Sequence, residues 1–324
     1  MYAVVLVGGF GTRLRPLTNS VPKPLLPLGQ RTILEWLMVH LARGGVTHAV
    51  LALGFKPEPF LQAFPDAMCA GVRLSYAIED SPLDTGGAIG FAARSVGLHE
   101  RGETFVVANG DIVTDLSVGA LVERHTANVR RGGEATIHLT PVDDPSQFGV
   151  VEHDATGSVS GFIEKPAPGT TTSRHVNAGT YVFESSVLDI LPGNAPLSVE
   201  RATFPELARR GTLYALPTDD YWLDAGRPDA YRRANLDLIG GVRRDRDDAV
   251  HPTARVDASS VVTNSVVGAK ATIASGARVS NSVIFPGARI GANSEVSGSS
   301  VMGEVAPGSV VHDALVGRDD ESSN

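Results

Sequence analysis

The chain has 324 residues, 42% apolar and 20% charged, and at about 150 residues per domain this length suggests two domains. Acidic residues outnumber basic ones by 36 to 28, so the basic face of a nucleic-acid binder is not expected, and no apolar run approaches the roughly 20 residues of a membrane span. Cys69 is the only cysteine, which excludes an intrachain disulfide and a thiolate metal cluster.

The N-terminal stretch lacks a basic leader and reads as a first strand, so a cytoplasmic protein is expected. Tyr2–Val7, His48–Leu53, Val72–Ile78 and Thr104–Ala108 are short, apolar and bounded by Gly, Pro or Asp, the pattern of buried strands. Between the first two, Thr32-Ile33-Leu34-Glu35 fits a capping box, and Ile33, Leu34, Leu37 and Leu41 recur at helical spacing up to Gly44. Asp84–Arg94 and Leu116–Asn128 are further helix candidates. Alternation of this kind implies a mostly parallel sheet, which binds ligands at the carboxyl ends of its strands. From about 134 to 235 the pattern is mixed. Strands are expected at Ala135–Val142, Phe148–Glu152, Ser158–Glu164 and Gly179–Phe183, and helices at Ser186–Leu191 and Ser198–Arg210. The Gly240-Gly241 pair and the dense mixed charge after it make 241–249 read as a linker or exposed connection.

Beyond the linker the sequence repeats in rows of 17 residues: Val250–Val266, Val267–Val283 and Ile284–Ser300, with a shorter row from Val301. Aliphatic residues fall at 250, 256 and 262, then 267, 273 and 279, then 284, 290 and 296. Three short strands per turn, each turning one aliphatic inward with small residues at the corners, make a parallel β-helix. A polar tail, 318–324, is expected to be disordered.

The first turn reads Gly8-Gly9-Phe10-Gly11-Thr12-Arg13-Leu14-Arg15-Pro16-Leu17-Thr18, followed by Pro22-Lys23-Pro24-Leu25. Glycines after a strand let backbone N–H groups approach an anion, and Arg13 and Lys23 add two cations, which suits a polyphosphate. Position 14 is Leu where a dinucleotide fingerprint needs Gly, and no Walker Gly-Lys-Ser/Thr is present. Asn109-Gly110-Asp111 and Trp222-Leu223-Asp224-Ala225-Gly226 offer two carboxylates that suit one Mg²⁺, with water and phosphate completing its shell. Phe148-Gly149, Glu164-Lys165-Pro166, Asn177-Ala178-Gly179-Thr180 and Val199-Glu200-Arg201 supply the acceptors and cation that a sugar phosphate requires. None of the nine histidines falls in a nucleophile or zinc motif.

These motifs resemble the nucleoside-diphosphate-sugar pyrophosphorylases, or sugar-1-phosphate nucleotidyltransferases. Their Gly-Gly-x-Gly-Thr-Arg-Leu-x-Pro-x-Thr and Pro-Lys-Pro-Leu signatures are matched at every defined position by Gly8 to Thr18 and Pro22 to Leu25. Within the family, Ser146–Val151, Val176–Tyr181, Val199–Arg201 and Tyr221–Gly226 resemble the branch that transfers guanylyl groups to mannose-1-phosphate. Asp84-Thr85-Gly86-Gly87 departs from that branch's Gly-Thr-Ala-Gly and is nearer to relatives acting on heptose or amino-sugar phosphates.

The resemblance implies an α/β, Rossmann-like nucleotidyltransferase domain over 1–240, the linker, and a left-handed parallel β-helix of hexapeptide type over 250–317. It implies that Gly8, Gly9, Gly11 and Thr12 meet the nucleotide, with Gly86 and Gly87 near its base or ribose. Arg13, Lys23 and Lys165 are the implied catalytic cations. Gly149, Glu164, Asn177, Thr180 and Glu200 line the sugar phosphate, and Asp111 and Asp224 hold Mg²⁺. The expected partners are a nucleoside triphosphate, a sugar-1-phosphate and further copies of the chain in a homo-oligomer. Another substrate pair, such as dTTP or UTP with glucose-1-phosphate, and a non-catalytic regulatory homologue remain as alternatives.

Overall fold

The computed structural model describes residues 1–9, 11–54, 57–167 and 169–318. Phe10 of the signature turn and all of the expected tail except Arg318 therefore lie outside the described residues. The chain forms two compact units, and each is built from two pieces of sequence. One comprises Met1–Gly8 and Leu37–Trp222, the other Gly9–Trp36 and the chain from Leu223 onward.

The first unit is built on a ten-stranded sheet. Its principal strands are β1 (Tyr2–Leu6), β2 (His48–Leu53), β3 (Val72–Ile78), β4 (Phe105–Asn109), β5 (Ala135–Pro141), β6 (Gly149–His153), β7 (Val159–Glu164), β8 (His175–Phe183) and β9 (Leu213–Pro217). Along the sheet they run β7-β6-β8-β4-β1-β2-β3, while β5 pairs with both β8 and β9. Only β4-β1-β2-β3 form the expected continuous parallel array. β8 runs antiparallel to β4, and β6 and β7 extend the sheet antiparallel. After Ala135 most connections are too short for the helical crossover that a parallel neighbour requires. Val4, Val5, Val50, Leu51, Val106 and Val107 are wholly buried, as expected where both faces of a sheet are covered.

Helix α1 (Ile33–Arg43) starts at the expected capping box. Thr32 N–H donates to Glu35 Oε2 at 2.6 Å and Glu35 N–H to Thr32 Oγ1 at 3.1 Å, an arrangement that stabilises a helix start by about 1 kcal/mol. Helices α2 (Asp84–Ser95) and α3 (Val118–Val129) begin and end within two residues of expectation. The helix expected at Ser186–Leu191 is a 3₁₀ turn, Ser185–Ile190. Ser198–Arg210 divides into a π turn, Val199–Thr203, and helix α4 (Phe204–Arg210), with Pro205 at the junction.

In the second unit, helix α5 (Pro228–Gly240) buries Tyr231, Ala234, Asn235 and Leu238 on one face. The chain then forms three four-stranded parallel sheets, the faces of the left-handed β-helix. The register matches the repeat: Val256↔Ile273↔Ile290↔Val305 align on one face and Val262↔Val279↔Val296↔Val311 on the next. Val267, Ile273, Val279, Ile284, Ile290 and Val296 are all buried. The first row departs from expectation. Val250 and Val256 are each 40% exposed, because a terminal turn has a neighbour on one side only. At one corner Ser265, Ser282 and Ser299 stack, and the Oγ of each accepts the backbone N–H of the next row at 3.1 Å. This pairs a buried donor that would otherwise be unsatisfied.

His138 on β5 is completely buried, with Nε2 against Thr218 Oγ1 at 2.9 Å. Burial holds its pKa down, from 6.5 to about 4. Between those values the unfolded chain binds a proton that folded His138 refuses, so stability falls as pH drops through this window. The urea midpoint should decline across it, and His138→Gln should flatten that decline. An equally steep profile in the variant would contradict the assignment.

Candidate active site

Glycine-rich backbone and a cluster of charges mark the second unit. Gly9 has φ 139° and Gly11 φ 55°, conformations that a side chain would strain. Thr18 Oγ1 closes the turn by donating to Gly11 O at 2.8 Å, and Thr12–Leu14 form a 3₁₀ turn with Arg13 exposed. Lys23 heads a second 3₁₀ turn flanked by Pro22 and Pro24, and it is only 6% exposed. Its Nζ lies 3.2 Å from Asp224 Oδ1, which also accepts Gly226 N–H at 2.9 Å.

Gly226 shows how tight the cluster is. A Cβ there would sit 2.7 Å from Arg13 Nη2, 2.8 Å from Asp224 Oδ1 and 3.1 Å from Lys23 Nζ. Two cations and one carboxylate converge where only a hydrogen atom fits. The sequence singled out Arg13, Lys23 and Asp224, and the structure brings them together. It assigned Gly226 no role, because close approach by residues 200 positions away leaves no local signal.

The first unit gathers carboxylates. Asp111 follows β4 at the carboxyl edge of the parallel strands, where Gly110 N–H donates to Leu6 O at 2.8 Å. Tyr181 is fully buried, and its hydroxyl accepts Asn177 Nδ2 at 2.9 Å. Burial and the nearby Glu200, Glu164 and Asp111 carboxylates push the Tyr181 hydroxyl's pKa up, so those three groups lie in one neighbourhood. Burial and then the Glu200 charge push the Glu164 carboxyl up as well. Glu200 Oε2 accepts Thr85 Oγ1 at 2.7 Å and Ser198 Oγ at 2.8 Å. Thr85 in turn accepts Val199 N–H at 2.9 Å. The sequence did not mark Thr85 as a site residue, although it lies in the segment that departs from the family pattern.

The remaining expected residues have distinct settings. Gly149 lies against Glu164, whose Oε2 would be 2.9 Å from a Cβ. Lys165 is exposed, has φ 49° and reaches to 3.9 Å from Glu164 Oε1. Asn177 Oδ1 caps Gly179 N–H at 3.1 Å, beside an irregularity in the β8–β5 pairing. Thr180 is buried in the sheet opposite Ala108. The amides of Gly86 and Gly87 both donate to Leu197 O, at 2.6 and 3.1 Å. A Cβ on either would strike residues 195–197. These two glycines thus permit a close approach of residues 195–197 to the start of α2.

Among the described residues no group of three or more His, Cys, Asp and Glu is arranged to hold a metal. Asn109 Oδ1, two residues before Asp111, is buried without a protein partner. One or two hard oxygens, with the rest of the shell left to other ligands, would suit a divalent cation. Among the same residues no helix is long and apolar enough to cross a membrane.

Residues 2–240 match the family model described as nucleotidyl transferase, and residues 248–322 match one described as GlmU-like, C-terminal hexapeptide. The chain is 37% identical over 286 residues to a mannose-1-phosphate guanylyltransferase of Mycobacterium tuberculosis, covering 85% of this chain and 77% of that one. It is 39% identical over 235 residues to a probable mannose-1-phosphate guanylyltransferase of Oryza sativa, covering 71% and 63%. Among solved structures, HddC of Yersinia pseudotuberculosis superposes with a TM-score of 0.60 at 27% identity, over 72% of this chain and 97% of that one. A second structure of that protein, described as complexed with GMP-PN, gives 0.59.

Gly226→Ala should disperse the charge cluster. A hydrogen bond to a charged group contributes about 1.5–3 kcal/mol, so nucleoside triphosphate affinity should drop by about tenfold or more. Calorimetric titration of the variant and of Lys23→Ala checks this. Parental affinity in two well-folded variants would contradict the role given to the cluster.

Proposed function

Because the chain belongs to the nucleotidyl transferase family, we propose that it joins a sugar-1-phosphate to the α-phosphate of a nucleoside triphosphate and releases pyrophosphate, with mannose-1-phosphate and GTP as the pair. The observation that carries the proposal is the convergence of Arg13, Lys23 and Asp224 on Gly226, beside the glycine-rich turn. The names of the mycobacterial and plant relatives and the guanine nucleotide in the Yersinia structure support the choice of pair.

The nucleophile is a phosphate oxygen that is already anionic, so the reaction needs no general base. The difficulty lies in holding two polyanions in line and in stabilising charge on the α-phosphoryl oxygens and the leaving pyrophosphate. In this account Gly8, Gly9, Gly11 and Thr12 offer backbone and hydroxyl donors to the triphosphate. Arg13 and Lys23 meet the charge that develops during transfer. Lys165 meets the sugar phosphate, and its exposed side chain is available to a ligand entering from solvent. Glu164 and Glu200 accept hydroxyls of the sugar, with Gly149, Asn177 and Thr180 shaping their surroundings. Gly86 and Gly87 lie near the base or ribose of the nucleotide, and their amides also seat the start of α2 beside Thr85. Asp111 and Asp224 would hold Mg²⁺, which supplies Lewis-acid charge neutralisation when bound.

A second substrate has one observation in its favour. The departing segment Asp84–Gly87 carries Thr85, which orients Glu200, so heptose- or amino-sugar-1-phosphates are the named rivals. Four nucleoside triphosphates should be tested against mannose-, glucose-, N-acetylglucosamine- and heptose-1-phosphates, scored by pyrophosphate release. GTP with mannose-1-phosphate should give the highest kcat/KM, and EDTA should abolish turnover. A higher value for another pair would replace the substrate, and no turnover with any pair would overturn the activity.

A homo-oligomer that works in the cytoplasm, assembled through the β-helix, belongs to the same proposal. Val261 and Val310, in the first and last rows of one face of the solenoid, are 49% and 62% exposed, and open strand edges at solenoid ends favour a partner. Light scattering should give a mass above the 34.0 kDa of one chain. A monomer at micromolar concentration would remove this part.

A further inference from the structure

The segment from Pro22 to Thr32 carries Lys23, crosses itself as a short hairpin and leads into α1. Pro27–Leu28 pair antiparallel with Arg31–Thr32 around a turn at Gly29 and Gln30. The segment is pinned from outside at successive points. Tyr231 Oη donates to Pro27 O at 2.5 Å. Asn235, wholly buried in α5, accepts Gly29 N–H at 2.8 Å and donates to Tyr231 O at 3.1 Å. Asp247 Oδ2 accepts Gln30 N–H at 2.7 Å. Gln30 Nε2 donates to Asp248 O at 2.9 Å and to Val267 O, in the solenoid, at 3.3 Å. Gly29 has φ 65°, and a Cβ on it would lie 2.8 Å from Leu238 and 2.6 Å from Asp247 Oδ2. Residues 241–249, expected as an exposed linker, thus provide one jaw of a clamp, and α5 provides the other.

Helix α5 begins four residues after Asp224, and the buried face that follows holds the segment carrying Lys23. We infer that Tyr231, Asn235 and Asp247 are positioning residues that set Lys23 against Asp224, and that the Gln30–Val267 bond ties this setting to the docking of the β-helix. The inference rests on the activity proposed above. The physical reason is that Lys23 acts through placement. Its Nζ is already held by Asp224 at 3.2 Å, and a displacement of about 1 Å at a charge-stabilising group costs up to a hundredfold in rate. A backbone N–H held by a carboxylate is a strong tether, because hydrogen bonds to ionised groups are about twice as strong as neutral ones.

The test uses the full-length protein with three substitutions. Asp247→Ala removes the acceptor, Asp247→Asn keeps an oxygen in its place, and Gln30→Ala cuts the side-chain link to the solenoid. The expected result is a fall in kcat of about tenfold for Asp247→Ala, with KM for the sugar phosphate within about twofold, recovery in Asp247→Asn, and an intermediate loss in Gln30→Ala. Amide hydrogen exchange supplies a readout independent of turnover. In Asp247→Ala the amides of Leu25, Leu26 and Gln30 should exchange at least about tenfold faster while those of Val4 and Val5 hold their parental rates. Unchanged exchange over 23–30, unchanged kcat, or equal acceleration in the core strand would each overturn the clamp. A parent enzyme without nucleotidyl transfer would sink the proposed activity instead, and the exchange comparison would still decide whether the clamp exists.

Discussion

The second unit is organised around a charge that would be costly to leave alone. Lys23 is almost completely buried, and an ammonium removed from water needs a partner and a fixed geometry. Asp224 provides the partner, and the Gly226 amide holds the same oxygen from the other side. Arg13 adds a second cation within reach of the same point. Two cations and one carboxylate thus meet at the end of a glycine-rich turn. A polyanion is the ligand that two such cations favour, and they are in place before the ligand arrives, so little reorganisation remains for the reaction itself.

The first unit meets a different chemical need. Its carboxylates are crowded around Tyr181, and the hydroxyls of Thr85 and Ser198 hold Glu200 in one orientation. Burial, and after it the neighbouring Glu200 charge, raise the Glu164 pKa. A sugar, with hydroxyls that both donate and accept, suits such a lining. The only cysteine is buried, and buried His138 is against a threonine. Neither is placed as an activated nucleophile, which agrees with a reaction whose nucleophile is the substrate's own phosphate.

What could be read from the sequence was local. The capping box at Thr32 and Glu35, the signature turn, and the 17-residue period of the solenoid each depend on neighbours within one turn or one row. What could not be read was set by distant partners. Helix α5 went unseen because its buried stripe includes Asn235, a polar residue whose place in the core makes sense only with Gly29, 206 positions earlier, in hand. The bonds from the Gly86 and Gly87 amides to Leu197 O join residues about 110 positions apart, and nothing local to either glycine points to that partner. The exposed first row of the solenoid follows from its end position, which periodicity does not encode. The expected linker was polar by composition, yet Asp247 grips a backbone amide and Arg243 is 3% exposed.

The central claim is direct displacement at the α-phosphorus, driven by positioning and charge with no covalent protein intermediate. The stereochemical course measures this most directly. A single diastereomer of GTP bearing sulfur on its α-phosphorus would be turned over with mannose-1-phosphate, and the configuration of the product read by phosphorus NMR. A single in-line attack predicts inversion. Retention would mean two successive displacements through a nucleotidyl-protein intermediate, and would contradict the account.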